Sequence, residues 1–240
     1  MNTLSKPYMK KITAILLIVS GIVLYGSSVH AQTTDVTQEE IQEMMENRSL
    51  IVVQQETETI GSPYLYEGFR TGRVTLHNGR QTEELSMNFN IYENRVEYAD
   101  NSTILAIPSE GIQQFTFTSN GESLTFKKGF SASGLDPDEF VLVLSEGDVT
   151  ALYKYEKNFQ EAVATYGTAV QRDEYIDNTR FYTHSNGETD RMRRVNERNL
   201  IRALNSHQDE MRSFFESQNL NPDSPQDLRR FFNHYNQLAG

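Results

Sequence analysis

The 240-residue sequence contains no cysteine and no tryptophan. Without cysteine the protein has no disulfide, no thiolate metal site and no cysteine nucleophile, and it cannot carry a lipoprotein anchor. Tryptophan is the usual platform on which a β domain stacks a sugar ring, so core packing is the expected role of the 13 Phe and 12 Tyr residues. A groove lined by tyrosines is the remaining way for this composition to hold a sugar.

Basic residues are also scarce, with 22 Lys and Arg against 33 Asp and Glu and a net charge of −11. The leader described next contains three lysines and no acid, so the rest of the chain carries 19 basic and 33 acidic residues, a net charge of −14. A surface this negative repels phosphate backbones and anionic lipid. We therefore expect no nucleic-acid partner.

Long hydrophobic runs are missing except near the start of the chain. Lys6, Lys10 and Lys11 precede an apolar run, 12–26, and a stretch of small residues ends at Ala31. An apolar run of about 15 residues is typical of a cleavable export signal, whereas a membrane-spanning helix needs about 20. The sequence predicts a signal peptide, export to the periplasm or the extracellular space, and no transmembrane span after cleavage. An uncleaved membrane anchor is the alternative interpretation.

The segment 61–98 shows the clearest pattern of the remaining chain. Turn-forming pairs at 78–79 and 93–94 separate three stretches in which apolar residues alternate with polar ones, as in a series of hairpins. Over 86–91 the alternation places Met, Phe and Ile on one face and Ser and two Asn on the other. This pattern predicts a half-buried antiparallel sheet.

Similar strand patterns continue from 50 to about 155, and short connections between them favour antiparallel neighbours in a meander. A capping box predicts a short helix over 37–47 before the first strand. An Asn-Gly pair at 186–187 predicts one more hairpin over 180–192.

Two amphipathic helices are predicted at the end of the chain. Apolar residues over 196–217 recur with the helical period of 3.6 residues. The second helix is predicted to begin at Ser224 as N-cap, with Pro225 at the first helical position and Asp227 three residues after the cap. The link 219–223 is short, which favours antiparallel packing of the two helices.

These patterns together predict an α+β protein with an open or partly closed antiparallel β-meander. The predicted division is a signal peptide at 1–31, an N-terminal helix with the antiparallel β domain at 32–158, a linker at 159–178, and a C-terminal hairpin with a helical pair at 179–240.

The motifs GSPYL, G-x-V and NFNIYENRVEY, followed by a hairpin and two helices ending in FFNHYNQLAG, give a further indication. In this order they resemble a family of uncharacterised secreted proteins of the Gram-negative bacterial envelope. The resemblance covers nearly all of the chain after the leader and implies an envelope location. It implies no activity, because no function or catalytic residue is assigned to that family.

The spacing of histidines and acids indicates no metal-binding or catalytic motif. None of the four histidines after the leader stands in an H-E-x-x-H or H-x-H arrangement. His207 and Glu210 are spaced to share a metal ion, but a zinc site takes three or four protein ligands. The acids of GLDPDEF (134–140) suggest calcium, yet a proline interrupts them, and a turn before a strand explains them better. The sequence therefore predicts no catalytic, cofactor-binding or metal-binding residue.

The only dense basic cluster of the sequence consists of five arginines, Arg191, Arg193, Arg194, Arg198 and Arg202. The last three are spaced four apart, so they line one face of the predicted helix. One interpretation is that they pair with nearby acids such as Glu188, Asp190 and Glu197. The other is that they contact an anion or an acidic partner, which makes them the predicted contact residues.

The leading functional prediction is a non-catalytic binding or interaction module of the envelope, whose partner is an envelope protein or a small ligand. Two alternative functions are also compatible with the sequence. A hydrolase would place two carboxylates from separate strands about 5–10 Å apart in a cleft. A carrier of an apolar ligand would keep a cavity between the sheet and the helices.

Overall fold

The computed structural model of the protein describes residues 59–101, 103–119, 121–162 and 172–240. The predicted signal peptide and the predicted helix over 37–47 lie outside these ranges. The described residues form ten strands: β1 (Arg70–Leu76), β2 (Leu85–Asn90), β3 (Arg95–Asp100), β4 (Thr103–Ile107), β5 (Ile112–Ser119), β6 (Glu122–Lys127), β7 (Val141–Ser145), β8 (Thr150–Gln160), β9 (Glu174–Ser185) and β10 (Glu188–Met192). Three helices follow: α1 (Glu197–Arg202), α2 (Gln208–Ser217) and α3 (Pro225–Ala239).

All ten strands belong to one antiparallel sheet in the order β10-β9-β8-β7-β6-β5-β1-β2-β3-β4. The sheet is not closed, and the helices come after it in the chain, which confirms the predicted α+β class. None of the helices formed by described residues is long and apolar enough to cross a membrane.

The pairing of β1 with β5 interrupts the meander and forces the sheet to curl. In a flat sheet β4 and β5 would lie four strand spacings apart, about 19 Å, and would run in the same direction. The connection 108–111 contains a 3-10 turn, and even fully extended it would span only about 18 Å. The sheet from β1 to β5 therefore curves until the end of β4 meets the start of β5.

The inner face of this curved sheet is filled by aromatic rings. Phe115 and Phe126 stack with ring centroids 4.9 Å apart, and Phe89 lies 5.1 Å from Phe115. Each of these side chains is at most 2 % exposed. These rings pack in the core under the sheet, where the alternative of an apolar-ligand carrier would place its cavity.

Helix α3 begins as the sequence predicts and packs against β7 and β8. The Ser224 side chain accepts a hydrogen bond from the backbone N–H of Asp227, and Pro225 is the first helical residue. Phe232 lies against Phe181 of β9, with ring centroids 5.8 Å apart. Asn236 accepts from the Val149 N–H and donates to its carbonyl, which fixes the last turns of α3 to the β7–β8 connection.

The predicted helix over 196–217 is wrong in its continuity, because the structure divides it into α1 and α2. Asn205 directs its side chain to Asp148 and Ser185. His207 adopts φ +54°, a left-handed conformation that an α-helix cannot contain. The apolar period gave no sign of this break, because the apolar stripe of α2 resumes seven residues after Leu204, at Met211.

The predicted linker over 159–178 is also wrong for the residues that the structure describes. Strands β8 and β9 remain paired as far as Gln160 and Glu174. Tyr175 packs against Phe159 and against Tyr92 of the β2–β3 turn, with ring centroids 5.0 and 5.5 Å apart. These contacts stabilise the far end of the hairpin, so the C-terminal hairpin continues the main sheet.

The alternation over 86–91 predicts that the outer face near β2 is open to water. In the structure, a buried group of polar side chains occupies this face instead. We call Tyr64, Asn90, Arg95 and Glu97 the Glu97 cluster. The Glu97 side chain is 0 % exposed; it accepts hydrogen bonds from the Tyr64 hydroxyl at 2.8 Å and from Nη2 of Arg95 at 2.7 Å. Burial raises the pKa of Tyr64, and its hydrogen bond to Glu97 raises it further. The GSPYL and NFNIYENRVEY motifs meet in this cluster.

Candidate functional site

A pocket of about 680 Å³ lies between the hairpin β9–β10 and helix α1. Its strand wall is formed by Thr183 and Ser185 of β9 and by Glu188 and Asp190 of β10. Thr183 pairs with Asp190 and Ser185 with Glu188, and directly paired residues of antiparallel strands share one face. The two acids therefore project from the same side of β10, and both are exposed.

The opposite wall of the pocket belongs to α1 and the residues before it. Asn199 and Arg202 are three residues apart and line the pocket from one helix face, while Leu200 and Ile201 are buried in the core. Arg194 precedes the helix, and its carbonyl oxygen accepts a hydrogen bond from Nδ2 of Asn199 at 2.9 Å. The packing of Leu200 and Ile201 thus fixes which side chains α1 presents to the pocket.

Asn205 joins the two walls at one end of the pocket. Its Nδ2 donates to Oδ2 of Asp148 at 2.9 Å and to Oγ of Ser185 at 3.0 Å. Its backbone N–H donates to the hydroxyl of Tyr235, and that hydroxyl in turn donates to Asp148. The strand wall, the connection after α1 and helix α3 are therefore held together by one hydrogen-bond network.

The pKa of Asp148 is lowered by the hydrogen bond from Tyr235 and, to a smaller extent, by the one from Asn205. A carboxyl group whose pKa is lower in the folded state stabilises the fold above its unfolded pKa, about 3.9, and this contribution is lost as the pH falls through the folded pKa. Because Asp148 is exposed, we expect the contribution to stay below about 1 kcal/mol.

We predict that Asp148→Asn melts at a lower temperature than the natural protein at pH 7, and that the difference narrows as the pH falls below about 4. Thermal melts across this range measure it. Glu122→Gln, which changes an exposed acid at the start of β6, is the control. Its difference in melting temperature from the natural protein should not narrow as the pH falls. A difference in melting temperature that is constant from pH 7 to pH 3 would contradict the role given to Asp148.

The structure separates the five predicted contact arginines, although all five are exposed. Arg191, Arg193, Arg194 and Arg202 border the pocket, and Arg198 does not. The Arg191 guanidinium reaches the outer face of the hairpin, where its Nη1 would lie 3.4 Å from a β-carbon placed on Gly134. Strand alternation agrees, since Arg191 pairs with Tyr182, whose hydroxyl donates to the Gly134 carbonyl on that face.

Within the described ranges, none of the five arginines forms an ion pair or a side-chain hydrogen bond. Other arginines of the chain do: Arg95 pairs with Glu97, Arg180 with Glu156 and Arg230 with Asp227. The interpretation that Glu188, Asp190 and Glu197 neutralise the five is therefore not supported.

Among the described residues, the fold adds no further ligand to either candidate metal site, His207 with Glu210 or the acids of 134–140. His207 lies 3.8 Å from Glu210, and no group of three His, Cys, Asp or Glu residues suited to a metal occurs among the described residues. In GLDPDEF the acids serve the loop itself: Asp136 accepts from the backbone of Asp138, and Glu139 forms an ion pair with Lys154 at 2.6 Å. The motif is a turn before β7, as the sequence favours.

Sequence reasoning missed Asn199, Asn205 and Ser185 as residues of the site, and treated Glu188 and Asp190 only as partners of the arginines. The alternation of acids and bases along E-T-D-R-M shows which residues share a face of β10. It does not show that α1 lies opposite that face.

Comparisons of the chain with protein-family models, with curated proteins and with solved structures find no match. The resemblance to secreted envelope proteins therefore stays a prediction, and the case for a function depends on the geometry of the pocket.

Proposed function

We propose that the protein is an exported, non-catalytic binding protein that captures an anionic group in the pocket between β9–β10 and α1. The observation that carries this proposal is the set of arginines around the pocket that have no acidic partner among the described residues. In a chain with 33 acidic and 22 basic residues, arginines are expected to find partners easily.

Guanidinium groups suit this role because they present paired N–H donors that match a carboxylate or a phosphate. Arg194 and Arg202 stand on the same wall, with the Asn199 side chain between them in sequence. A volume of about 680 Å³ lies within the range of about 300–1,000 Å³ that holds small ligands. The pocket is therefore large enough for a ligand whose anionic end lies against this wall.

A hydrolase is the second candidate, because Glu188 and Asp190 both line the pocket. Residues two apart on a strand lie about 7 Å apart, which is within the range of paired catalytic carboxylates. The two acids, however, project side by side from one strand, whereas a glycosidase places its carboxylates on both sides of the scissile bond. This arrangement favours binding over hydrolysis.

Replacing Arg194 and Arg202 together with Gln tests the proposal. We expect binding of the tricarboxylate tricarballylate, measured by calorimetry at low salt, to weaken by about tenfold or more, because charge-assisted hydrogen bonds are lost. Arg198→Gln is the matched control, since Arg198 is exposed on the same helix but does not line the pocket. Equal binding by the natural protein and the double variant, or no binding by the natural protein, would contradict the proposal.

We further propose that the protein is exported and that cleavage follows Ala31, on the basis of the leader alone. The measurement is the intact mass and N-terminal sequence of the protein recovered from the periplasm or the medium. Gln32 is the expected first residue, and recovery of uncleaved chain in the membrane fraction would contradict the prediction.

A further inference from the structure

The pocket is lined by acidic and basic side chains, and the described residues show no ion pair between them. Glu188 and Asp190 line the strand wall, and Arg194 and Arg202 line the helix wall. Side chains as long as arginine and glutamate form ion pairs wherever their charged atoms come within 4 Å of each other, as Arg180 and Glu156 do at 3.0 Å. Among the described residues no such pair bridges the two walls of the pocket.

The fold itself keeps the walls apart. Leu200 and Ile201 anchor α1 in the core, and the Asn205 side chain connects Ser185 to Asp148 at one end of the pocket. These contacts set the distance between the backbones of the two walls. The positions of the two walls are thus a property of the fold, and each wall presents charges of its own sign to the pocket.

A ligand that satisfies both walls must carry an anionic and a cationic group. The described residues that line the pocket include no Phe, Tyr or Trp, so they offer no stacking surface to a sugar or a nucleobase. A peptide, with a carboxylate at one end and an ammonium group at the other, has the required chemistry.

We propose, on the basis of the proposed anion-binding function, that the ligand is a short peptide with free termini. Its C-terminal carboxylate binds Arg194 and Arg202, and its α-ammonium group binds Glu188 and Asp190. Capture of the peptide as a whole depends on both charges, which distinguishes this site from a site for simple anions.

Calorimetry of the purified protein with three probes tests the inference: trialanine, its N-acetyl derivative and its C-terminal amide. Each derivative lacks one of the two charges and is otherwise the same peptide. We expect each to bind about tenfold or more weakly than trialanine, because each loses charge-assisted hydrogen bonds to one wall. If N-acetyl-trialanine binds as tightly as trialanine, the peptide inference is wrong, while the anion-binding function stands.

A pair of variants assigns each end of the peptide to its wall. In Glu188→Gln with Asp190→Asn, trialanine and N-acetyl-trialanine are expected to bind equally, and the amide should remain weak. In Arg194→Gln with Arg202→Gln, trialanine and its amide should bind equally. Arg198→Gln should keep the preferences of the natural protein. A failure of trialanine to bind the natural protein, with tricarballylate still bound, would also overturn the peptide inference alone.

Discussion

Phe232→Ala is expected to lower the free energy of unfolding by about 3–5 kcal/mol, because it removes a ring that is 0 % exposed. The Phe232 ring lies 5.8 Å from Phe181 of β9 and 5.1 Å from Phe231, so it joins α3 to the inner face of the sheet. In a domain of this size each kcal/mol corresponds to about 2–4 °C, so thermal melts should show a drop of at least about 6 °C.

Phe215→Ala is the matched control for this prediction. The sequence places both phenylalanines on apolar helix faces, but in the structure Phe215 is only partly buried on α2, 6.0 Å from Phe231. We therefore expect a smaller loss of stability than for Phe232→Ala. Equal losses of stability in the two variants would show that burial of the ring does not determine its contribution to the free energy of unfolding.

Arg95→Met is also expected to lower the free energy of unfolding by about 3–5 kcal/mol, because it leaves the Glu97 carboxylate buried without its cation. Glu97 is 0 % exposed, and Arg95 donates to its Oε1 from Nε at 3.0 Å and from Nη2 at 2.7 Å. The remaining donors to Glu97, the Tyr64 hydroxyl and the Asn90 amide, are neutral. Denaturant unfolding of the variant measures the loss.

Arg73→Met is the control, since Arg73 and Glu84 form an ion pair at 3.6 Å with both side chains about half exposed. Such a surface pair contributes only about 0–1 kcal/mol. Adding Glu97→Gln to Arg95→Met should restore part of the stability, because the unpaired charge is then removed. A loss from Arg95→Met no greater than that from Arg73→Met would show that water reaches the Glu97 cluster.

The sequence predicted most strands and helix α3 because their signals are local. Strand β10 ends at Met192, where the predicted hairpin ends, because an Asn-Gly turn fixes the register of the hairpin. Ser224 caps α3 through a hydrogen bond to a residue three positions away. In both cases the determining contacts lie within a few residues.

The features that the sequence did not predict depend on contacts between residues that are far apart in the chain. Asn88 and Asn90 are polar on a strand, which predicts exposure, but both are buried: Asn88 donates to the Tyr66 carbonyl, and Asn90 donates to Glu97. Asn205 breaks the predicted long helix through bonds to Asp148 and Ser185, which are far away in the sequence. Local patterns cannot anticipate such partners.

The candidate site shows the same limit. The sequence identified the arginine cluster from its density and its contrast with the acidic chain. It could not show that Arg198 lies outside the pocket or that the Arg191 guanidinium reaches the outer face. The first fact depends on how α1 is placed against the hairpin, and the second on which face of β10 lies toward Gly134.

The curl between β4 and β5 has a consequence for how the chain folds. Nearly every strand pairing joins neighbours in the sequence, and such hairpins close small loops at little entropic cost. The pairing of β1 with β5 closes a longer loop that contains β2, β3 and β4, so we expect it to form more slowly than the hairpins. Gly72 lies on that seam, where a β-carbon would come within 2.7 Å of the Thr116 carbonyl oxygen. A larger residue at this position would obstruct the strand pairing that joins β1–β4 to β5–β10 in the described sheet.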